Sequence, residues 1–365
     1  MNIAIPKERR PFEFRVGLPP EGVDMLVSHG HAVYVETGAG NGAGFADVDY
    51  EKAGARIVYS PEETFGRADL VLKFARPLKE ELEMMVPGLT VAGFLHLAAT
   101  RQDKIEMLLD KKITAIAYEQ VEAPAGYRPI LAPLSEIGGR MAVSIASRLL
   151  QNDQGGRGVL LGGIVGVPRA QVVIIGAGVV GGTAAWSFAA VGAAVTVIDI
   201  DLRRLQELHM RCPSSIETVF STPYNIAKAC ARADILVGAI LVPGERPPIV
   251  VTRKMVASMQ PRSIIIDLSI DQGGCVETSR PTTSAAPTYV EEGVIHFCVP
   301  NIAGVLGRTG TLGLYNGTFP FLQAVAREGI EEAIRTVPGI ELGIVTRDGK
   351  VQHLSRFGGV GGRGR

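Results

Sequence analysis

Four charged or titratable side chains follow short apolar runs of the sequence, and their types suit the chemistry of a small carboxylate. They are Lys73 after LVL, His96 after VAGFL, Glu119 after TAIAY, and Arg15 shortly after the first run. A guanidinium binds a carboxylate through two parallel hydrogen bonds, and an imidazole exchanges a proton near neutral pH. Because the carboxyl ends of parallel strands share one sheet edge, we expect these residues to line one ligand crevice. For each of them, the alternative is an ordinary strand-end charge or ion pair.

Two more polar residues follow apolar runs later in the chain. Asp271 stands just past the run IIID and precedes two glycines, so its carboxylate is predicted to face a cleft. Asp267 lies earlier in the same stretch and is interpreted as structural. Asn301 follows another predicted strand, and it either binds cofactor or substrate or simply forms a turn.

A glycine-rich turn points to a dinucleotide. Gly176, Gly178 and Gly181 fit G-x-G-x-x-G, with a β-branched run before them and an Ala-rich stretch after them. Such glycines allow a tight turn and bring the backbone close to a pyrophosphate at a helix N-terminus. Asp199, which ends the next predicted strand, favours NAD because its charge repels a 2′-phosphate. Arg203 and Arg204 weaken that preference, so NADP and an unliganded crossover stay open.

The elements that must position these residues alternate along the chain. Short apolar runs and helix-like stretches follow one another from Asn2 to Ala117, and a second such series starts at Gln171. This alternation predicts an α/β fold with two Rossmann-like, doubly wound parallel sheets and a cleft between them. A helix is predicted from Ser135, as its N-cap, to Leu150. The segment from Leu306 to about Val337 also has helical spacing and is predicted to pack on the first domain.

The predicted domains are residues 1–134 plus 306–365, and residues 135–305. At about 150 residues per domain, 365 residues agree with two domains. The glycine-rich tail, residues 357–365, is predicted to be mobile.

Composition excludes several classes of partner. The 37 basic and 37 acidic residues cancel, which argues against nucleic acid or an anionic membrane as partner. The long uncharged segment Val172–Ile198 has the length of a membrane span, but its glycines divide it into strand, turn, helix and strand. The four cysteines form no C-x-x-C pair, and the N-terminus has no signal peptide, so a reducing, cytoplasmic location is predicted.

The chain resembles the alanine dehydrogenase family, which is related to the NAD-binding subunit of proton-translocating transhydrogenase. The resemblance extends to about Gly349. It is carried by IPKE, EFRVGLPPEGV, HGHAVYVETGAG, FLHLAA, AIAYEQV, LSEIGGRMA, GGRGVLLGGIVGV, VVIIGAGVVG, ILVPGERPP and IDQGGCVETSRPTT. It implies interconversion of L-alanine, NAD and water with pyruvate, ammonium and NADH. It also implies a discontinuous substrate domain, an inserted NAD domain, and a homo-oligomer, often a hexamer.

Matched position by position, the resemblance also implies roles for individual residues. Arg15 would hold the substrate carboxylate, His96 would transfer a proton or bind the carbonyl, and Asp271 would assist near the nicotinamide. Lys73, Arg76 and Leu134 are the other candidates for contact with substrate. The candidate cofactor shell is Ser135, Gly176, Gly178, Val179, Val180, Gly181, Asp199, Arg204, Ser221, Ile240, Leu241, Leu268, Ile270, Asp271, Arg280, Val299, Asn301 and Ile302. No metal is expected.

The chain departs from the family at the predicted substrate site. The family pattern K-x-K-E-P is here Lys73-Phe74-Ala75-Arg76-Pro77, so alanine replaces the second lysine. Loss of a cation beside the reacting carbonyl would remove several kcal/mol of transition-state stabilisation, on the order of other preorganised contacts. A different keto acid or imine is therefore one alternative, and a catalytically impaired dinucleotide-binding protein is another. A transhydrogenase subunit, which needs membrane partners, is the third.

Overall fold

The computed structural model describes residues 1–97, 100–212, 215–242 and 246–353. The chain forms two compact units. Unit 1 comprises Met1–Leu134 and the segment that begins at Ala303, and unit 2 comprises Ser135–Ile302. The second crossing between the units falls at 302/303, shortly before the predicted boundary at 305/306. The predicted mobile tail, residues 357–365, lies outside the described residues.

Unit 1 is built on one eight-stranded sheet. Its strands are β1 Asn2–Ile5, β2 Ala32–Glu36, β3 Arg56–Val58, β4 Leu70–Ala75, β5 Thr90–Phe94, β6 Thr114–Ala117, β14 Ile344–Arg347 and β15 Lys350–Val351. Their order across the sheet is β15-β14-β6-β5-β4-β1-β2-β3. Strands β1 to β6 pair in parallel, whereas β14 is antiparallel to both β6 and β15. The carboxyl ends of β1, β4, β5 and β6 therefore lie together at one edge.

Helices cover both faces of this sheet. They are α1 Pro20–Ser28, α2 Asp47–Lys52, α3 Pro61–Gly66, α4 Lys79–Met84, α5 Gln102–Asp110, α11 Gly307–Glu328, α12 Ile330–Thr336 and α13 Ile340–Gly343. Alternate residues of β4 enter different cores: Leu72 packs in the cluster that contains α11, and Val71 packs in the cluster beneath α4 and α5. Burial on both faces explains why these strands are apolar throughout.

Unit 2 has a seven-stranded sheet of order β12-β13-β11-β10-β7-β8-β9. Its strands are β7 Gln171–Ile175, β8 Ala194–Asp199, β9 Ile216–Phe220, β10 Ile235–Gly238, β11 Ile264–Asp267, β12 Thr288–Glu291 and β13 Val294–Phe297. All neighbours pair in parallel except β12 with β13. Its helices are α6 Ala132–Leu149 (which starts just before the unit boundary), α7 Val179–Ala190, α8 Leu202–Arg211, α9 Pro223–Cys230 and α10 Arg253–Ala257.

The start of α6 corrects one prediction. The helix begins at Ala132, so Ser135 lies in its first turn and is not the N-cap. Pro133 is compatible with this earlier start, because a proline near the first helical position loses no intrahelical hydrogen bond.

The predicted α/β class with two Rossmann-like parallel sheets is confirmed. The sequence did not reveal the edge strands β3, β9, β12 and β15, which are short or only half-buried and so lack the apolar signature of central strands. Among the described residues, no helix combines the length and hydrophobicity that crossing a bilayer requires.

Candidate active site and dinucleotide site

Arg15 is clamped by a neighbour that the sequence reasoning missed. Its Nε and Nη2 donate to the two carboxylate oxygens of Glu13, each at 2.6 Å. Both side chains are almost fully buried, at 3% and 0% exposure. This bidentate pair neutralises both charges and fixes the plane of the guanidinium. The E-x-R spacing was a usable signal, since side chains two apart in an extended segment lie on one side.

An aromatic row connects Arg15 to His96. The guanidinium carbon of Arg15 lies 3.8 Å from the centroid of the Phe74 ring. Phe74 packs on Phe94 with centroids 5.6 Å apart, and Phe94 stacks with the ring of His96 at 6.3 Å. Arg15, from the segment between β1 and α1, is thus followed in contact order by the two aromatic rings and the imidazole at the ends of β4 and β5. The predicted grouping of Arg15 with His96 at one sheet edge is what the structure has.

Glu119 holds the backbone at His96. Its carboxylate accepts hydrogen bonds from the amides of His96, at 2.7 Å, and Leu95, at 3.2 Å. His96 has a left-handed backbone (φ 44°), which is uncommon outside glycine. The imidazole is 48% exposed, with Nδ1 4.0 Å from the Glu119 carboxylate. The turn therefore projects the ring from the strand end, where it can exchange a proton with a ligand.

Lys73 is the cation at the centre of a buried ion-pair cluster. Its Nζ lies 2.8 Å from Glu81 and 3.2 Å from Glu8, and the lysine side chain has no exposed surface. Burial alone would lower the pKa of Lys73, but the two carboxylates outweigh it and the pKa is raised. Burial raises the pKa of Glu8 in spite of Lys73. With its charge enclosed in this way, Lys73 is withdrawn as a substrate-binding candidate.

Ala75 and Arg76 end β4 in an irregular stretch. The pairing of β4 with β5 shifts register between Leu72 and Ala75. The Ala75 amide donates to Glu8 at 3.2 Å, and the Arg76 carbonyl accepts from Arg10 Nε at 3.1 Å. The regular alternation expected between positions 73 and 75 is therefore interrupted. Arg76 is half-buried and stays a candidate, and Leu134 is half-buried against the core of unit 1.

The glycines of the G-x-G-x-x-G motif differ in what surrounds them. Gly176 has φ 108° after β7, and a Cβ there would overlap the Ala239 carbonyl. A Cβ on Gly181 would overlap the Gly176 carbonyl, whereas one on Gly178 would meet no atom within 4 Å. Two glycines are thus required by packing, and the third leaves open space at the start of α7, where Val179 is exposed and Val180 half-buried. This arrangement fits a pyrophosphate at a helix N-terminus.

Asp199 joins the loops that follow β7 and β8. Its carboxylate accepts from the amides of Ala177, at 2.6 Å, and Asp201, at 2.8 Å. Ser221 lies beside it, since its amide donates to the Asp199 carbonyl at 2.9 Å. Arg203 and Arg204 pair with Asp201, at 3.3 and 3.9 Å. Because both arginines pair with Asp201, they do not neutralise the carboxylate of Asp199 at the end of β8.

Asp271 and Asn301 are brought together at the strand ends of unit 2. The Asn301 amide donates to the Asp271 carboxylate at 3.0 Å. Asn301 is left-handed (φ 53°), a conformation that asparagine tolerates well. Asp267 is structural, as predicted: it accepts from the amides of Ser269 and Cys275, both at 3.0 Å, and burial raises its pKa. It therefore closes the loop that carries Asp271.

The other candidates for the cofactor shell occupy neighbouring loops of unit 2. Ile240 and Leu241 follow β10, Leu268 and Ile270 follow β11, and Val299 and Ile302 follow β13. The Ile240 amide donates to Ser269 Oγ at 2.9 Å, which ties two of these loops together. Arg280 lies elsewhere, with its guanidinium 4.2 Å from the centroid of the Tyr289 ring. Leu241, Asp271, Arg280 and Asn301 are exposed, whereas Ile270 and Val299 are buried.

Two Rossmann-like sheets, a glycine turn that leads into a helix, and an acid at the end of the next strand define a dinucleotide-binding α/β protein. Comparison with known proteins narrows this class. The N-terminal domain of "Alanine dehydrogenase/PNT" matches residues 4–138, and the C-terminal domain of the same family matches residues 142–354. The chain belongs to the alanine dehydrogenase/PNT family.

Individual relatives agree over nearly the whole length. The chain is 44% identical to alanine dehydrogenase of Halomonas elongata over 97% of this chain and 95% of that protein. It is also 44% identical to the Bacillus subtilis enzyme, over 97% and 93%. A solved L-alanine dehydrogenase matches with a TM-score of 0.92 over 97% of each chain, at 44% identity. The transhydrogenase from Sinorhizobium meliloti matches at 0.80 and 26% identity, over 97% of this chain and 99% of that one.

Proposed function

We propose that this protein is an NAD-dependent alanine dehydrogenase, which interconverts L-alanine, NAD and water with pyruvate, ammonium and NADH. Membership of the family, with 44% identity to named alanine dehydrogenases, supports the reaction. The observation that carries it in the structure is the contact series Arg15, Phe74, Phe94 and His96 at one sheet edge. Unit 1 is then the substrate domain and unit 2 the NAD-binding domain.

The side chains of unit 1 have distinct tasks in this proposal. Arg15, oriented by Glu13 and the Phe74 ring, binds the substrate carboxylate. His96 moves the proton to and from the group on the reacting carbon, with its backbone held by Glu119. Burial of the Arg15–Glu13 pair keeps water away and preserves the strength of the contact with the carboxylate.

The residues of unit 2 fit NAD. The open position at Gly178 and the amides of α7 suit the pyrophosphate, and Asp199 suits the adenosine ribose. In this proposal, Asp271 and Asn301, which are hydrogen-bonded to each other, contact the cofactor from the loops after β11 and β13. Bound NAD(H) supplies hydride transfer, which no amino-acid side chain provides.

A second candidate is favoured by Ala75. It is a family member retuned to another 2-oxo acid or imine, because the second lysine of K-x-K-E-P is absent. The half-buried methyl group at this position leaves room where the family has a cation. The same scaffold would then bind a larger substrate.

The test is oxidation of NADH, followed at 340 nm, with pyruvate and ammonium. The unmodified protein is compared with Ala75→Lys and with Ala75→Gln, which adds bulk without charge. Turnover by the unmodified protein supports alanine dehydrogenase. Turnover that appears only with Ala75→Lys supports the second candidate. NADH binding without turnover by any variant, across a panel of 2-oxo acids and amines, would reject both.

We also propose that the protein self-associates in the cytoplasm. The loop after α6 exposes the apolar side chains Leu160, Ile164, Val165 and Val167, and neighbouring exposed apolar side chains are a common feature of interfaces. The four cysteines are unpaired, which suits a reducing compartment. Light scattering on the eluting protein tests the oligomer, and a monomeric mass would reject it.

A further inference from the structure

The segment that carries Arg15 is fastened along the first turns of helix α11. The Phe14 amide donates to the Gly304 carbonyl at 3.1 Å, shortly before α11 begins. The Val16 amide donates to Oγ1 of Thr311 at 3.1 Å, and both of these residues are fully buried. A buried amide needs such a partner, because an unpaired one costs the free energy of its lost hydration. The backbone on either side of Arg15 is therefore fixed by residues that are distant in sequence.

Gly310 makes room for the side chain of Arg15. A Cβ atom at this position would lie 2.5 Å from Cδ and 3.0 Å from Cγ of Arg15, whereas carbon atoms in contact need about 3.5–4.0 Å. Gly310 is a buried residue of an α-helix, where the backbone does not require glycine and alanine is the more favourable residue. The close passage of the Arg15 side chain along α11 is thus the structural reason for a glycine here.

The same segment also contacts strand β4. The guanidinium carbon of Arg15 lies 3.8 Å from the centroid of the Phe74 ring, and a Cβ atom on Gly17 would lie 2.1 Å from the Leu72 carbonyl oxygen. Glu13 then fixes the plane of the guanidinium through its two hydrogen bonds. An arginine that is held in this way loses little conformational entropy when it binds a carboxylate, so its position determines the affinity.

We propose that Gly310 and Thr311 are positioning residues for the substrate carboxylate, and that they act through Arg15. Gly310 sets the path of the arginine side chain and Thr311 the position of its backbone, so together they determine where the guanidinium is presented. The inference rests on the proposed function, in which Arg15 binds the carboxylate of a 2-oxo acid. Because this carboxylate does not react, displacing Arg15 weakens binding of the substrate and of the transition state alike. The effect therefore falls on KM and not on kcat.

Gly310→Ala in the full-length protein tests the path of the side chain. Pyruvate is titrated calorimetrically into the complex with NADH, without ammonium, so that amination cannot occur. We expect the affinity for pyruvate to fall at least about tenfold, because a displaced binding group loses its alignment. In steady-state turnover, KM for pyruvate should rise by the same factor, while kcat and KM for NADH stay within about twofold. Gly66→Ala, at a helical glycine of α3 whose Cβ would meet no atom within 4 Å, is the matched control and should behave as the unmodified protein does.

Thr311→Val and Thr311→Ser test the position of the backbone. Valine has nearly the shape of threonine but leaves the Val16 amide without its acceptor, so we expect the affinity for pyruvate to fall about fivefold. Serine keeps the hydroxyl group and should retain the affinity within about twofold. Equal affinities in the two variants would overturn the role of Thr311. This pair also decides on positioning by α11 if Gly310→Ala does not fold.

Thermal unfolding shows whether Gly310 acts through Arg15. We expect Gly310→Ala to lower Tm by about 4 °C in the unmodified protein. In the background Glu13→Gln/Arg15→Ala, which lacks Cγ and Cδ of Arg15 and the buried charge of Glu13, the same change should lower Tm by less than about 1 °C. Equal losses in the two backgrounds, or an unchanged affinity for pyruvate in Gly310→Ala, would overturn the role of Gly310.

Failure of the proposed function has a different signature. If the unmodified protein binds pyruvate in a way that depends on Gly310 but does not turn it over with ammonium, only the proposed function fails. If it turns pyruvate over with a KM that does not depend on Gly310 or Thr311, only the positioning proposal fails. If it does not bind pyruvate at all, both fail.

Discussion

The two units build their candidate sites from different materials. In unit 2, the dinucleotide turn consists of backbone: Gly176 and Gly181 pack against carbonyl groups, and amides of the loops bind Asp199. In unit 1, the strand-end site consists of side chains held in buried ion pairs, Arg15 with Glu13 and Lys73 with Glu8 and Glu81. A site formed by the backbone corresponds to one continuous sequence motif, whereas a site formed by side chains depends on residues that are distant in sequence.

This difference explains where the chain departs from its family. Gly176 and Gly181 cannot change without clashes, and the turn follows the G-x-G-x-x-G pattern completely. The end of β4 tolerates exchange, because the buried pairs around it already balance their own charges. Ala75 and Arg76 therefore depart from the family pattern without disturbing the cluster formed by Lys73.

The largest effect on stability is expected when the charge balance of the buried Lys73 cluster is removed. Lys73→Met leaves Glu8 buried without its ion-pair partner and leaves Glu81 with Arg9 alone, at 3.7 Å, so we expect the free energy of unfolding to fall by about 3–5 kcal/mol. Urea unfolding followed by circular dichroism measures it. Lys79→Met removes an exposed lysine that lies 3.9 Å from Glu83 and should cost less than about 1 kcal/mol. Equal losses in the two variants would show that the cluster is not what holds this edge of unit 1.

Arg15→Lys tests the side-chain site by function. Lysine keeps the charge opposite Glu13 but loses the planar fork, so we expect kcat/KM for pyruvate to fall about hundredfold. Glu13→Gln keeps Arg15 but removes the carboxylate that orients it, so we expect a smaller, roughly tenfold fall in kcat/KM. Steady-state kinetics with saturating NADH separates the two. If Arg15→Lys is as active as the unmodified protein, Arg15 does not hold the carboxylate by its fork.

The same contrast between a backbone turn and a side-chain site explains which features could be predicted from the sequence. The parallel sheets and the glycine turn follow from local patterns, and the structure has them at the expected positions. The grouping of Arg15 with His96 followed from the rule for strand ends. The partners Glu13, Glu8 and Glu81 did not, because charged residues read as exposed unless their long-range pairing is known. The burial of Lys73 was not predictable for that reason, since it depends on carboxylates in two other segments.

Two glycines of the turn in unit 2 sharpen the comparison. Gly181→Ala places a methyl group on the Gly176 carbonyl, and we expect a loss of about 2–3 kcal/mol in stability. Gly178→Ala meets open space, so stability should change by less than about 1 kcal/mol while NADH binding weakens about tenfold. Thermal unfolding and titration of NADH fluorescence measure the two effects. If Gly178→Ala leaves the affinity for NADH unchanged, the pyrophosphate does not lie at this position.

The smallest effect concerns His296. It is a buried side chain in unit 2, the unit whose dinucleotide turn consists of backbone. Its Nε2 lies 2.7 Å from Thr278 Oγ1, its Nδ1 lies 3.0 Å from the Val294 carbonyl, and its ring has no exposed surface. Burial lowers its pKa, although Glu291 and Asp267 act in the opposite direction. Below about pH 6.5 the unfolded chain therefore takes up a proton that the folded protein does not. The free energy of unfolding should fall as the pH is lowered, by at most about 1.4 kcal/mol per pH unit, until the lowered pKa is reached.

His296→Gln should remove this part of the pH dependence in urea unfolding at pH 7.5 and 5.5. His209→Gln, at an exposed position of α8, should retain it. An unchanged pH dependence in His296→Gln would mean that the pKa of the ring is the same in the folded and the unfolded protein, and that burial does not control its charge.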